Sequence, residues 1–258
     1  MSQAGRVNII DYTSHTLRQA EKLSDEPGLI EKGLPVAGIT SHHLPTAENF
    51  IHAFYAKLSK LRPNLKYFLI VGPDHFERCQ GLVTTTKKDF LTPFGILENS
   101  PDGVRLFEKS GVGVNNDCFA NEHSVGVQTA FIKKYFPDAK VNAIIFSSAA
   151  SSVLPEQLAN EFYENFPEAM VVGSIDFSHY QTVKKANFID SRTEVQIRNL
   201  EASSLTLEQL DSPASLRFVL AWGGFQKAQA TIVSHANSYD FSGIPDNTTG
   251  YFNVIYTK

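Results

Sequence analysis

Tyr67-Phe68-Leu69-Ile70-Val71-Gly72-Pro73-Asp74-His75 is the stretch that decides the fold class. An apolar run this short, closed by Gly-Pro, reads as a strand buried on both faces rather than as a helix. The residues around it repeat the theme. Residues 36–40 read as a second buried strand. Residues 46–61 then read as a helix, with Thr46 as its N-cap and Phe50, Ala53, Phe54 and Leu58 at helical spacing. Further strands are expected at 141–146, 170–174, 230–233 and 251–256, and further helices at 122–135, 155–166, 191–200 and 213–225. Residues 81–100 read as an antiparallel insertion with an edge strand at 82–86, and 240–249 as a loop. Strand alternating with helix predicts an α/β fold with a mostly parallel central sheet and helices on both faces.

The 258 residues show no internal repeat and no Pro-, Gly- or Ser-rich linker, so one domain spanning 1–258 is expected, with 1–34 as an N-terminal extension packed on it. A net charge of −4 argues against capture of nucleic acid or of an anionic membrane. Neither a signal peptide nor a membrane-spanning run is visible. The two cysteines, Cys79 and Cys118, match no disulfide scaffold or zinc motif, so both are expected as free thiols in a reducing, cytoplasmic setting.

In open α/β sheets, ligands bind outside the carboxyl ends of the strands. Five of the eight histidines fall just past expected strand ends: His42 and His43, His75, His179 and His235. Asp176 and Ser178 share one of these positions, and Ser147 and Ser148 occupy another. His123, beside Glu122 at an expected helix start, adds a sixth imidazole to the same rim. Imidazole serves as metal ligand, acid or base, and a carboxylate such as Glu122 or Asp176 can orient it. Two histidines with one carboxylate suit Fe(II) and oxygen chemistry.

Each residue also has a plainer reading. Glu122 at a helix start stabilises the helix dipole whether or not it has another role. His235 is as readily a bonded core histidine as a ligand. Of His42 and His43, neighbours at a strand end, one is expected in the cleft and the other in its wall. His52 is assigned to a solvated helix face and His15 to the surface.

Five motifs occur in order: Thr40-Ser41-His42-His43, Gly72-Pro73-Asp74-His75, Thr92-Pro93-Phe94-Gly95, Glu122-His123-Ser124 and Asp176-Phe177-Ser178-His179-Tyr180. Together they resemble the Memo family, whose microbial members are often named AmmeMemoRadiSam system protein B. The resemblance spans about residue 36 to the C-terminus. It implies a fold similar to the class III extradiol dioxygenases and a metal held by two His and a Cys. His42 and His75 match the two histidines. The family's fourth strand-end motif matches Asp176 and His179, and its Glu-His pair matches Glu122 and His123; in an enzyme, His123, Asp176 and His179 would be the candidate catalytic groups, as acid, base or orienting partner. The family's Cys precedes a Gly before the penultimate strand. The nearest match here, Ala221-Trp222-Gly223-Gly224, puts Trp222 in that place, and an indole N–H only donates.

Two alternatives follow from this resemblance. In one, iron or copper (zinc in vitro) sits on His42 and His75, with a third ligand from His123, His179 or His235, and the protein is a redox or dioxygenase-like enzyme. In the other, the cleft is metal-free and binds a small anionic molecule or a peptide. A metal-independent hydrolase ranks below both, since no Gly-x-Ser-x-Gly elbow is present.

Overall fold

The computed structural model describes residues 9–12, 33–150 and 152–258. Four parallel strands form its centre in the order β8-β3-β9-β2. They are β2 (Pro35–Thr40), β3 (Tyr67–Pro73), β8 (Lys140–Phe146) and β9 (Met170–Ser174). Beyond β2 the sheet turns antiparallel through β11 (Gly250–Thr257) and then β10 (Gln229–Asn237).

On the other side, β8 pairs with β6 (Gly95–Asn99) near its start and with β4 (Val83–Thr85) near its end. A hairpin joins β6 to β5 (Asp89–Thr92), which carries β1 (Ile9–Asp11) alongside, and β7 (Gly113–Val114) flanks β4. The insertion expected at 81–100 is therefore present, as β4 plus the β5–β6 hairpin.

Helices cover both faces. On one lie α1 (Glu48–Leu61) and α3 (His123–Tyr135), over a core that includes Phe54, Phe68, Phe131 and Ile145. On the other lie α4 (Leu154–Asn165) and α6 (Pro213–Phe225), over Leu69, Ile144, Phe162 and Trp222. Strands β3, β8 and β9 contribute to both cores, which is why each reads as an apolar run, broken in β8 only by Asn142, whose amide donates to Asn99 and to the Ser100 carbonyl. The remaining helices are α2 (Pro101–Lys109), α5 (Val183–Asn199), which packs on β10, and α7 (Ser238–Ser242). Of the N-terminal extension, Ile10 and Tyr12 are buried, and the Tyr12 hydroxyl donates to the Phe119 carbonyl at 2.5 Å. His15 lies outside the described residues.

Several expectations need correction. α1 begins at Glu48, and Ala47, not Thr46, precedes it with no side-chain cap. α5 begins at Val183 with Thr182 as its cap, eight residues ahead of the position expected from its apolar spacing, because its first turns are polar and exposed. β10 runs on through a bulge between Ile232 and Ser234 as far as Asn237, so His235 sits inside a strand. His52 is fully buried, bonded to the Tyr135 hydroxyl at 3.1 Å and set edge-on to Phe131. Cys79 and Cys118 are not free: they form a disulfide across 39 residues. With both thiols joined, the cysteines do not point to a reducing compartment.

Candidate metal centre

The parallel strands deliver their carboxyl ends to one edge. β2 ends in Ser41-His42, β3 in Asp74-His75 and β9 in Ile175-Asp176. The N-termini of α3 and α6 border the same edge. Gly72 permits this: a Cβ there would come within 2.9 Å of Ser124 Oγ, so only glycine lets the first turn of α3 seat against β3.

Buried hydrogen bonds fix the two central imidazoles. His42 Nδ1 lies 3.1 Å from Ser174 Oγ. That hydroxyl spends its proton on the Ser124 carbonyl at 2.6 Å, so His42 Nδ1 must be the donor. Gln128 Nε2 donates to the same hydroxyl and to the Ser41 carbonyl, both at 2.9 Å. His75 Nδ1 faces Glu122 Oε1 at 2.7 Å, and the His75 backbone N–H donates to Glu122 Oε2 at 3.0 Å. Glu122 is thus both the N-cap of α3, accepting from Ser124 N, and the orienter of His75. With both Nδ1 atoms engaged, both Nε2 atoms face the pocket.

They face Asp211. His42 Nε2 is 3.2 Å and His75 Nε2 3.7 Å from the same oxygen, Asp211 Oδ2. Asp211 is held to the end of β9 by a bridge between Phe177 and Leu210, by its N–H donating to the Asp176 carbonyl at 3.0 Å, and by the Asp176 N–H donating to Oδ2 at 3.2 Å. Its other oxygen, Oδ1, is buried without a hydrogen-bond partner. Asp176 Oδ2 lies 3.6 Å from His42 Nε2, and Asp176 Oδ1 accepts from Ser41 Oγ at 2.5 Å. The His123 ring stacks on His75 at 4.1 Å. Two groups bring their donor atoms within 4.8 Å of one another: His42 with His75 and His123, and His42 with Asp176 and Asp211.

The electrostatics follow from these contacts. Burial alone would lower the His42 imidazole, but Asp176 and the bond to Asp211 together raise it. His75 is likewise opposed by burial yet pushed up to about 10 by its bonds to Asp211 and Glu122. Burial would raise the Asp211 carboxyl, but the two imidazoles hold it well below its ordinary range. His123 is lowered to about 4 by burial and by its neighbours His42 and His75, so it stays neutral at pH 7. A pocket with two buried carboxylates (Glu122 and Asp176), the half-buried carboxylate of Asp211 and two raised imidazoles suits a cation better than an anion.

The remaining candidates are placed elsewhere. His43 is in the wall, its Nδ1 2.6 Å from the Tyr251 hydroxyl, and burial lowers it. His179 is half-buried, close enough to act electrostatically on Asp211 and His43. His235 leaves the cleft for Asp190 Oδ2, at 3.0 Å, and stacks on Phe252. Trp222 is not a cleft residue: it is fully buried under the sheet, its indole N–H donating to the Val36 carbonyl at 2.9 Å against the rings of Phe162 and Tyr163. The residue converging with the two histidines is Asp211, which the reading of strand ends missed because no strand precedes it. The signal that could have found it is Ser212-Pro213, a helix start bordering the cleft as Glu122-His123 does.

Residues 44–255 match the family model described as Memo-like protein. The chain belongs to the Memo-like family. Among its relatives, a MEMO1 family protein of Pyrobaculum arsenaticum is 29% identical over 204 residues, 74% of this chain and 72% of that one. A MEMO1 family protein of Methanosarcina mazei is 27% identical over 204 residues, covering 75% and 76%. Among solved structures, the uncharacterized protein JW3007 of Escherichia coli K12 superposes with a TM-score of 0.53 over 85% of this chain and 98% of that chain. At 13% identity that likeness shows the fold alone. The Memo-like match takes in His75, Glu122, His123, Asp176 and Asp211, while His42 lies just before it.

Proposed function

We propose that this Memo-like protein binds one transition-metal ion through His42, His75 and Asp211 and is a metal-dependent, dioxygenase-like redox enzyme. The observation that carries the reading is the convergence of two imidazole Nε2 atoms on one carboxylate oxygen. The fit is chemical as well as geometric. Both Nδ1–H groups are anchored on buried acceptors, Asp211 Oδ1 lacks a partner, and the set is two His plus one carboxylate. Donor separations of 3.2 and 3.7 Å are near the roughly 3–3.5 Å expected of neighbouring ligands about 2.1 Å from an ion. Asp211 therefore supplies the third ligand that Trp222 cannot.

Iron or copper bound there would supply Lewis acidity and redox chemistry. The chain's own part is to hold His75 in one tautomer through Glu122 and to stack the His123 ring against it beside the ion. Asp176 accepts hydrogen bonds from the Ser41 hydroxyl and the His42 backbone N–H and so braces His42. Beside His75 and Asp211 opens a cavity of about 380 Å³, between the ends of β3 and β8 and residues 205–214. Phe146, Leu205 and Leu207 give it apolar walls and Ser147 and Thr206 polar ones, which suits a small, partly apolar substrate.

The test is metal analysis of protein purified without chelator, followed by titration of the stripped protein with Fe(II), Cu(II) and Zn(II). One equivalent bound by the wild type and less than a tenth by Asp211→Asn supports the proposal. No uptake of any of the three ions by the wild type rejects it and leaves the metal-free binding module. Among the described residues, no helix is long and apolar enough to cross a membrane.

A further inference from the structure

The Cys79–Cys118 disulfide joins the two loops that build one side of the metal centre. His75 lies four residues before Cys79, and Glu122 four residues after Cys118. Between these two loops, the covalent tie and the His75 Nδ1 to Glu122 Oε1 bond of 2.7 Å close one small ring. His123, next in the chain, stacks on His75 across the same gap. The Asp74 carboxylate braces the first loop, accepting from the Arg78 and Cys79 N–H groups at 3.3 and 2.9 Å. A cross-link so placed holds Glu122 within reach of His75 at a high effective concentration.

We propose that this disulfide is a redox-responsive positioning device for the metal centre: oxidised, it preorganises His75, Glu122 and His123, and reduced, it lets them separate and weakens metal binding. The inference rests on the metal reading above. The exchange is balanced. A dithiol passes two electrons and two protons to the S–S bond and leaves as its own disulfide, and Cys79 and Cys118 become thiols. Glu122 then no longer fixes the His75 tautomer. Loss of such a carboxylate–histidine contact costs about 10- to 100-fold in metal affinity.

The experiment titrates the full chain with Co(II) in three forms: oxidised, reduced with a dithiol and desalted without air, and the Cys79→Ala/Cys118→Ala double variant. The same three forms are followed by amide hydrogen exchange. The expected result is a Kd about 10- to 100-fold weaker for the reduced form and for the double variant alike, with faster exchange confined to 74–80 and 115–123. Equal affinity in the oxidised and reduced forms overturns this inference and leaves the metal site standing. A double variant that binds like the oxidised protein overturns it too. Faster exchange throughout the sheet on reduction makes the cross-link a staple of the fold and overturns the positioning role. No Co(II) uptake in any form removes the metal reading itself, and the inference with it.

Discussion

Asp211 and Trp222 show how far side-chain identity can be read without geometry. Both lie in the segment leading into or along α6, and pattern matching put the glycine-flanked Trp222 in the family's cysteine position. The structure turns Trp222 into the core and brings Asp211 to the two histidines. The two residues make opposite predictions. Asp211→Asn should keep the fold and lose metal affinity by at least 100-fold, read by Zn(II) titration beside a thermal melt. Trp222→Ala should destabilise by about 3–5 kcal/mol, through an uncollapsed cavity and an orphaned Val36 carbonyl, while the protein that remains folded binds metal as before.

His75 gives a prediction in pH. Its folded pKa of about 10 lies above the unfolded value near 6.5. The stability it contributes to metal-stripped protein is therefore complete below about pH 6.5 and lost as pH rises through 10. The melting temperature of stripped wild type should fall between pH 7 and 10, and His75→Gln should flatten that fall. Metal binding needs the neutral imidazole, so affinity should rise over the same range.

At the scale of the element, the central strands were legible because they are apolar on both faces, and 36–40, 67–72, 141–146 and 170–174 each lie within an observed strand. α6 matched its expected limits because Pro213 marks its first turn. α2 escaped notice because only Val104 and Phe107 among its large apolar residues are buried, too few to print a period. The polar start of α5 hid it in the same way, and the bulge in β10 hid how far that strand runs. The junction of β3 and α3 matters most for the site. Gly72→Ala would press a methyl group against Ser124. It should push the start of α3 away from β3, lowering both the melting temperature and the metal affinity, whereas Gly224→Ala, in helix α6 where a Cβ meets nothing within 4 Å, should raise the melting temperature slightly and leave the affinity unchanged.

For the whole molecule, the rule that ligands gather beyond the strand ends placed His42 and His75 at one edge, with Asp176 beside them. It failed for His235, because β10 runs on to Asn237 and leaves His235 inside the strand with its ring on Asp190 and Phe252, and for Asp211, which arrives from a helix start. The disulfide was out of reach of sequence alone, since its two cysteines meet only once the loops after β3 and before α3 are side by side. What unites the strand ends and the two helix starts is a centre where carboxylates outnumber raised imidazoles. The most direct measurement is a crystal of protein loaded with Fe(II), or with Co(II) in its place, recorded at that metal's absorption edge. The account predicts one anomalous peak about 2.1 Å from His42 Nε2, His75 Nε2 and an Asp211 oxygen. A peak on other residues, or none from crystals of protein soaked at saturating metal, would contradict it.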